Sequence, residues 1–193
     1  MIKKMKNLKT IAIALVAVLS TVTATAQDKK INTSKSKIEW VGKKVTGEHS
    51  GTINFKEGVL NFKSGKLTGG NFTVDMTSIE VTDLKAGEGK EKLEGHLKAA
   101  DFFGTDTHKE SKLVFKTVKS AGGNKYAVTA DLTIKGITKP VSFDITVAKN
   151  SAVTEFKIDR TKYGIEYNSG SIFDGLGDKV IYDDFELTVN LQF

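Results

Sequence analysis

From Lys125 to Ala148 the chain alternates between apolar and polar residues, twice over. Tyr126, Val128, Ala130, Leu132 and Ile134 are interleaved with Ala127, Thr129, Asp131, Thr133 and Lys135. After a short turn, Val141, Phe143, Ile145 and Val147 are interleaved with Ser142, Asp144, Thr146 and Ala148. Successive side chains of a strand point to opposite faces, so the pair predicts an antiparallel hairpin with one buried face. The same period returns at the end of the chain. There Phe185, Leu187, Val189, Leu191 and Phe193 oppose Glu186, Thr188, Asn190 and Gln192. No charge interrupts the apolar side of these three runs.

The remainder divides into short strands punctuated by glycine. Gly42, Gly47, Gly51, Gly58, Gly65 and the Gly69-Gly70 pair mark turns in the first half. Strands are predicted over 37–46, 51–56, 58–63, 66–76, 112–118, 125–135, 139–148, 152–160 and 183–193. Pro140 is the only proline and is expected at a strand start, where its missing N–H is tolerable. Between Gly87 and Phe103 the period becomes helical. Leu93 and Leu97 are four residues apart, and Lys90, Glu94 and Lys98 form charge pairs at the same spacing. One helix of two or three turns is expected there, ending near Ala100. The polar, glycine-rich stretch from Thr161 to Asp183 is long for a loop, and such loops often carry function. Many short antiparallel strands imply a sandwich or a closed barrel. A barrel of eight strands has room for packed side chains or for one small ligand.

Residues 1–26 read as a leader. Lys3, Lys4, Lys6 and Lys9 precede an apolar run from Thr10 to Ser20, and Ala24-Thr25-Ala26 matches a small-x-small cleavage site. The run is shorter than the ~20 apolar residues of a membrane span. Export to the periplasm or out of the cell is therefore expected, with residues 27–193 forming one domain. The charge picture changes with it. The full chain is +6, but removing four leader lysines from 29 basic residues leaves 25 against 23 acidic ones, or +2. That balance, with no basic stripe, argues against nucleic-acid binding. The chain has no cysteine, so disulfides, thiolate metal sites and an N-terminal lipid on cysteine are excluded.

Candidate chemistry is sparse. His49, His96 and His108 match no zinc spacing, and there is no H-E-x-x-H. Asp174, Asp178, Asp183 and Asp184 do not follow the EF-hand pattern and read as turn aspartates. Asp183 and Asp184 are adjacent on a strand, so they would face opposite ways and could not flank one glycosidic bond. No G-x-S-x-G elbow is present. No catalytic residue, metal or cofactor is expected. His96 reads first as a helix histidine bonded to a loop or to Asp101, and Arg160 as half of a salt bridge with an acidic loop residue. Either could instead meet a polar ligand headgroup.

Three passages resemble the YceI-like family of exported bacterial proteins. One is His96-Leu97-Lys98 with Asp101-Phe102-Phe103, leading into Lys112-Leu113-Val114-Phe115. The second runs from Ala130 to Val141 (ADLTIKGITKPV). The third joins Asp159-Arg160, Tyr163-Gly164-Ile165 and Gly177-Asp178-Lys179-Val180. The resemblance spans nearly all of residues 27–193. It implies a mainly β fold: an extended eight-stranded antiparallel lipocalin-like barrel with one short helix. It also implies a hydrophobic pore for a polyisoprenoid or another long-chain amphiphile, and no catalysis. One departure is the turn from Gly104 to Glu110, which lacks the family's usual proline. Trp40, Phe72, Phe102, Phe103, Phe115, Phe143, Phe156 and Phe185 are the candidate lining, with His96 and Arg160 as candidate headgroup contacts. The expected partner is a lipophilic small molecule, bound by a monomer or a homodimer. The alternative is a structural or protein-binding barrel whose interior is filled, because a tunnel lining and a solid core look identical in sequence.

Overall fold

Lys135 and Gly136 form a two-residue turn with φ of 50° and 76°, and Ile134 faces Ile137 across it. Positive φ at both positions matches the right-handed twist of the flanking strands, so the turn closes the expected hairpin. The computed structural model describes residues 26–193. Its strands are β1 (Ala26–Lys30), β2 (Lys37–Lys44), β3 (Gly47–Lys63), β4 (Lys66–Val81), β5 (Glu110–Ser120), β6 (Lys125–Ile134), β7 (Ile137–Val147), β8 (Ser151–Asp159) and β9 (Ile181–Gln192). One helix, α1 (Lys90–Lys98), follows β4. Of the predicted leader, only Ala26 falls within the described residues.

The strands form one antiparallel sheet in the order β1-β3-β2-β9-β8-β7-β6-β5-β4, and β3 pairs with β4 to close the ring. β2 pairs with Gly47–Ile53 and β1 with Val59–Lys63, while β4 takes the other edge of β3. β1 and β2 thus share one place in an eight-place barrel. β1 escapes sequence reading because its residues, Ala26-Gln27-Asp28-Lys29-Lys30, show no alternation. It is held by backbone pairing, and Lys29 reaches across the Phe62 and Phe193 rings at 5.3 and 4.8 Å.

The two short strands predicted over 51–56 and 58–63 are one strand of 17 residues with three register shifts. Gly58 is not a turn. A Cβ there would lie 2.4 Å from a Phe72 ring carbon, so glycine admits the ring against the backbone. α1 ends at Lys98, two residues before the predicted end, and Gly104 turns the chain back with φ of 58°. The amides of Thr107 and His108 both donate to the Gly104 carbonyl, so this proline-free turn is closed by backbone bonds.

One part of the wall is not zipped. β7 and β8 pair only at Ile145↔Thr154, Thr146↔Val153 and Val147↔Ala152. Beyond that point the Thr154 hydroxyl donates to the Asp144 carbonyl at 2.7 Å, in place of the next ladder bond. Counting from the Lys135-Gly136 turn, antiparallel alternation aims the backbone groups of Pro140, Ser142 and Asp144 at β8. Pro140, the fourth residue of β7 rather than its first, brings no N–H to that edge. The seam is therefore written into the sequence.

Inward side chains form two clusters. One surrounds Leu60, Val128, Ile145 and Leu191; the other surrounds Val81, Leu97, Tyr163 and Ile165 at the end covered by α1 and the β8–β9 connection.

A half-hollow barrel

The apolar rings divide between the two ends. In the first cluster Phe72 lies 5.8 Å from Phe115, Phe115 lies 5.8 Å from Phe143, and Phe143 stacks on Phe156 at 4.8 Å. Phe55 extends the chain of rings, 6.0 Å from Phe72. Offset and tilted pairs at these separations favour closure, since each adds to the area already buried. These rings act as a floor across the barrel.

Above the floor, at the helix end, lies a cavity of about 150 Å³. Trp40, Phe102, Phe103 and Phe185 line it, together with aliphatic side chains from six strands and Leu97 of α1. Phe103 meets Phe102 edge-on at 5.2 Å and Phe185 at 6.2 Å, so three of the four rings form one wall. Trp40 is held by its indole N–H, which donates to the Thr52 carbonyl at 3.3 Å. Gly51 lets that ring lie flat against β3: a Cβ there would meet it at 2.5 Å and the Glu80 carbonyl at 1.9 Å. Phe72, Phe115, Phe143 and Phe156, the other half of the candidate lining, do not border this cavity. Their partners across the ring are other aromatics, and they close on one another.

The two candidate headgroup residues are occupied elsewhere. Arg160 is 2% exposed. Its Nε donates to the Tyr182 carbonyl (3.2 Å), Nη1 to that of Ile165 (2.8 Å) and Nη2 to that of Ile181 (2.9 Å). Asp183 Oδ1 lies 3.6 Å from Nη2; this is the acidic partner expected from the sequence, placed at the start of β9 rather than in the loop. Burial pulls the guanidinium pKa down while Asp183 and Asp159 push it up; arginine stays charged throughout. Arg160 borders the cavity, but its donors brace the β8–β9 connection. His96 does not border it. Its ring packs 5.4 Å from Phe102 and 4.5 Å from Tyr167, and it makes no hydrogen bond to Asp101. Its Nε2 is buried without a partner.

Asp159 shapes the start of the same connection. It caps the turn Arg160–Tyr163, accepting from the Thr161 amide at 3.0 Å and the Thr161 hydroxyl at 2.6 Å. Burial opposes its charge, but these bonds and Lys162 hold its carboxyl below the ordinary value. Tyr163 is 1% exposed and its hydroxyl has no partner; burial, then the charge of Asp159, pushes its pKa up to about 12. The aspartates of the late connection do not converge, and among the described residues no three acidic or histidine side chains are placed to hold a metal ion. Sequence reading missed Ser111, a buried residue at the start of β5 that borders the cavity. The available signal was its phase: it shares alternation with Leu113 and Phe115, both on the inward side of β5.

A profile described as the YceI-like domain matches residues 30–193. A UPF0312 protein of Staphylococcus aureus (strain bovine RF122) is 46% identical over 86 residues, 39% of this chain and 47% of that protein. A UPF0312 protein of Pseudomonas putida (strain W619) is 33% identical over 96 residues, 50% of this chain and 47% of that protein. The chain thus spans about half the length of the curated relatives it matches. Among solved structures, BcnA of Burkholderia cenocepacia superposes with a TM-score of 0.68 at 24% identity, over 83% of this chain and 98% of that one. A polyisoprenoid binding domain from Saccharophagus degradans superposes with a TM-score of 0.55 at 12% identity, over 84% and 97%. At these identities the superpositions show a shared fold.

Proposed function

The chain belongs to the YceI-like domain family, and from that premise we propose that it binds and carries a long apolar molecule, a polyisoprenoid or fatty amphiphile, without transforming it. The observation that supports this is the apolar cavity at the helix end. A cavity of about 150 Å³ matches the engineered apolar site known to stay dry and take up benzene, so it accommodates about six carbon atoms. At ~0.8 kcal/mol for each buried methylene, that is ~5 kcal/mol before ordering costs. Useful affinity then needs more of the chain, running along the mouth beside Tyr182 or displacing the aromatic floor. The likeness to a polyisoprenoid binding domain supports the ligand class. The leader pattern supports export and use outside the cytoplasm.

Organic extraction of protein purified from its own host, followed by mass spectrometry, is expected to release an apolar chain molecule. Repeated absence of one, together with no change in Trp40 fluorescence on adding prenols or long-chain alcohols, would overturn the proposal.

A further inference from the structure

The cavity passes through the barrel wall at one place. Trp40 and Gly42 of β2 face inward in phase with their partners Leu187 and Phe185 of β9, and all four border the cavity. Tyr182 and Asp184 are out of phase with Phe185 and Leu187, yet they border it too. They are also the two exposed residues of the lining. Here the strands lose register. β2 and β9 pair at Gly42↔Phe185 and next at Lys44↔Ile181, so Tyr182, Asp183 and Asp184 stand against Lys43 alone. Arg160 anchors the extra residues by taking the carbonyls of Ile181 and Tyr182. Beyond the break the Val45 amide donates to the Val180 carbonyl at 3.2 Å. The break is thus a window with paired strand on both sides.

Gly42 forms one edge of this window. A Cβ there would meet no atom within 4 Å, and its φ is not positive, so neither a clash nor the backbone demands glycine. Gly51 and Gly58 differ, since a Cβ on either would strike a ring. Glycine inside a strand weakens it, and at Gly42 the return is empty space beside the cavity. Resting on the carrier reading above, we propose that an apolar chain enters between β2 and β9, with one end in the cavity and the remainder crossing Gly42 to lie outside beside Tyr182. Gly42 is then the residue that lets a ligand be longer than the cavity. The other end of the barrel offers no such passage, because Phe143 packs against both Phe115 and Phe156.

The chain has no cysteine, so Gly42→Cys carries a single thiol. Sulfonatoethyl methanethiosulfonate adds a charged group to it as a mixed disulfide, and dithiothreitol removes that group. The charge keeps the group in water, so it fills the window and not the apolar cavity. Glu39→Cys, an outward residue of the same strand, is the control. Farnesol is the probe, and Trp40, the one tryptophan, reports occupancy from the lining. Modification of Gly42→Cys is expected to weaken farnesol about tenfold or more, the worth of about two buried methylenes, and reduction to restore it. Modified Glu39→Cys is expected to bind as wild type does. Bound farnesol should slow modification of Gly42→Cys and leave that of Glu39→Cys unchanged. Gly42→Ala and Gly42→Val should weaken farnesol in that order without lowering the thermal midpoint, which keeps the test open if the cysteine variant folds poorly. A thiol at position 42 that the reagent does not reach in the empty protein would overturn the window. So would farnesol binding indifferent to the modification or to the valine, or no protection by farnesol. Each of these leaves the carrier reading standing. If wild type binds no farnesol, both fall.

Discussion

Replacing Arg160 by methionine keeps much of its volume and removes its charge and all its donors. Three carbonyls, of Ile165, Ile181 and Tyr182, then lose a donor in a place water reaches poorly, and Asp183 loses its cation. Each carbonyl left without a donor costs ~1–3 kcal/mol, and Asp183, 24% exposed and still bonded by the Ser171 hydroxyl, adds a smaller loss. The stack of the guanidinium over Phe102, at 5.8 Å, adds to the loss. Arg160→Met should therefore lower unfolding free energy by about 3 to 5 kcal/mol, read from urea titration by circular dichroism. Part of that is the stranded carboxylate, so adding Asp183→Asn should return about 1 to 2 kcal/mol. Arg160→Lys should cost nearly as much as methionine, since an ammonium cannot span three carbonyls held by a planar fork. A loss below 1 kcal/mol for Arg160→Met, or no recovery in the double variant, would show that the β8–β9 connection is not braced in this way.

Gly51→Ala should destabilise by about 2 kcal/mol or more in the same titration, because its Cβ meets a backbone carbonyl at 1.9 Å and that atom cannot swing aside. Tyr163→Phe should be neutral or stabilising near pH 7, since the lost hydroxyl bonds nothing. The tyrosine proton is held more tightly in the folded state, pKa about 12 against 10 when unfolded. Its stabilisation is thus complete below pH 10 and is lost as pH rises towards 12. Wild type should lose about 2 to 3 kcal/mol more than Tyr163→Phe across that window, and parallel pH profiles would refute this. Amide exchange by NMR should find the N–H groups of Ser142, Glu155 and Lys157 poorly protected beside those of Val141 and Phe156, because the former face the unpaired seam. Equal protection would mean the seam is zipped in solution.

Strand alternation made most of the barrel legible. Every predicted stretch is strand, with 51–56 and 58–63 joined in β3, and the Tyr126 to Val147 hairpin falls in the expected phase. Errors arose where backbone, not side-chain pattern, decides. β1 has no apolar face and is recruited by the free edge of β3. Gly58 was read as a chain reversal when its missing side chain makes room for a ring. Pro140 was placed at a strand start because a central strand rejects proline, yet here the strand has an open edge to receive it. Arg160 was legible as a salt bridge, but its three carbonyl partners come from 5 to 22 residues away along a connection with no repeating pattern.

The division between floor and cavity lies beyond any one-dimensional signal. Phe143 and Phe185 both occupy inward positions of alternating strands, flanked by aliphatic residues in the same phase. What separates them is the neighbour across the ring. Phe143 meets Phe115 and Phe156 and so completes a stack, whereas Phe185 meets only Phe103, edge-on, beside the mouth. Those encounters depend on shear and on where α1 crosses the barrel end, and neither is encoded in the period of a single strand. An inward apolar series therefore specifies that a centre exists. Whether the centre is filled depends on how the rings brought to one level meet: at one end they stack on one another across the barrel, and at the other they stand along the wall.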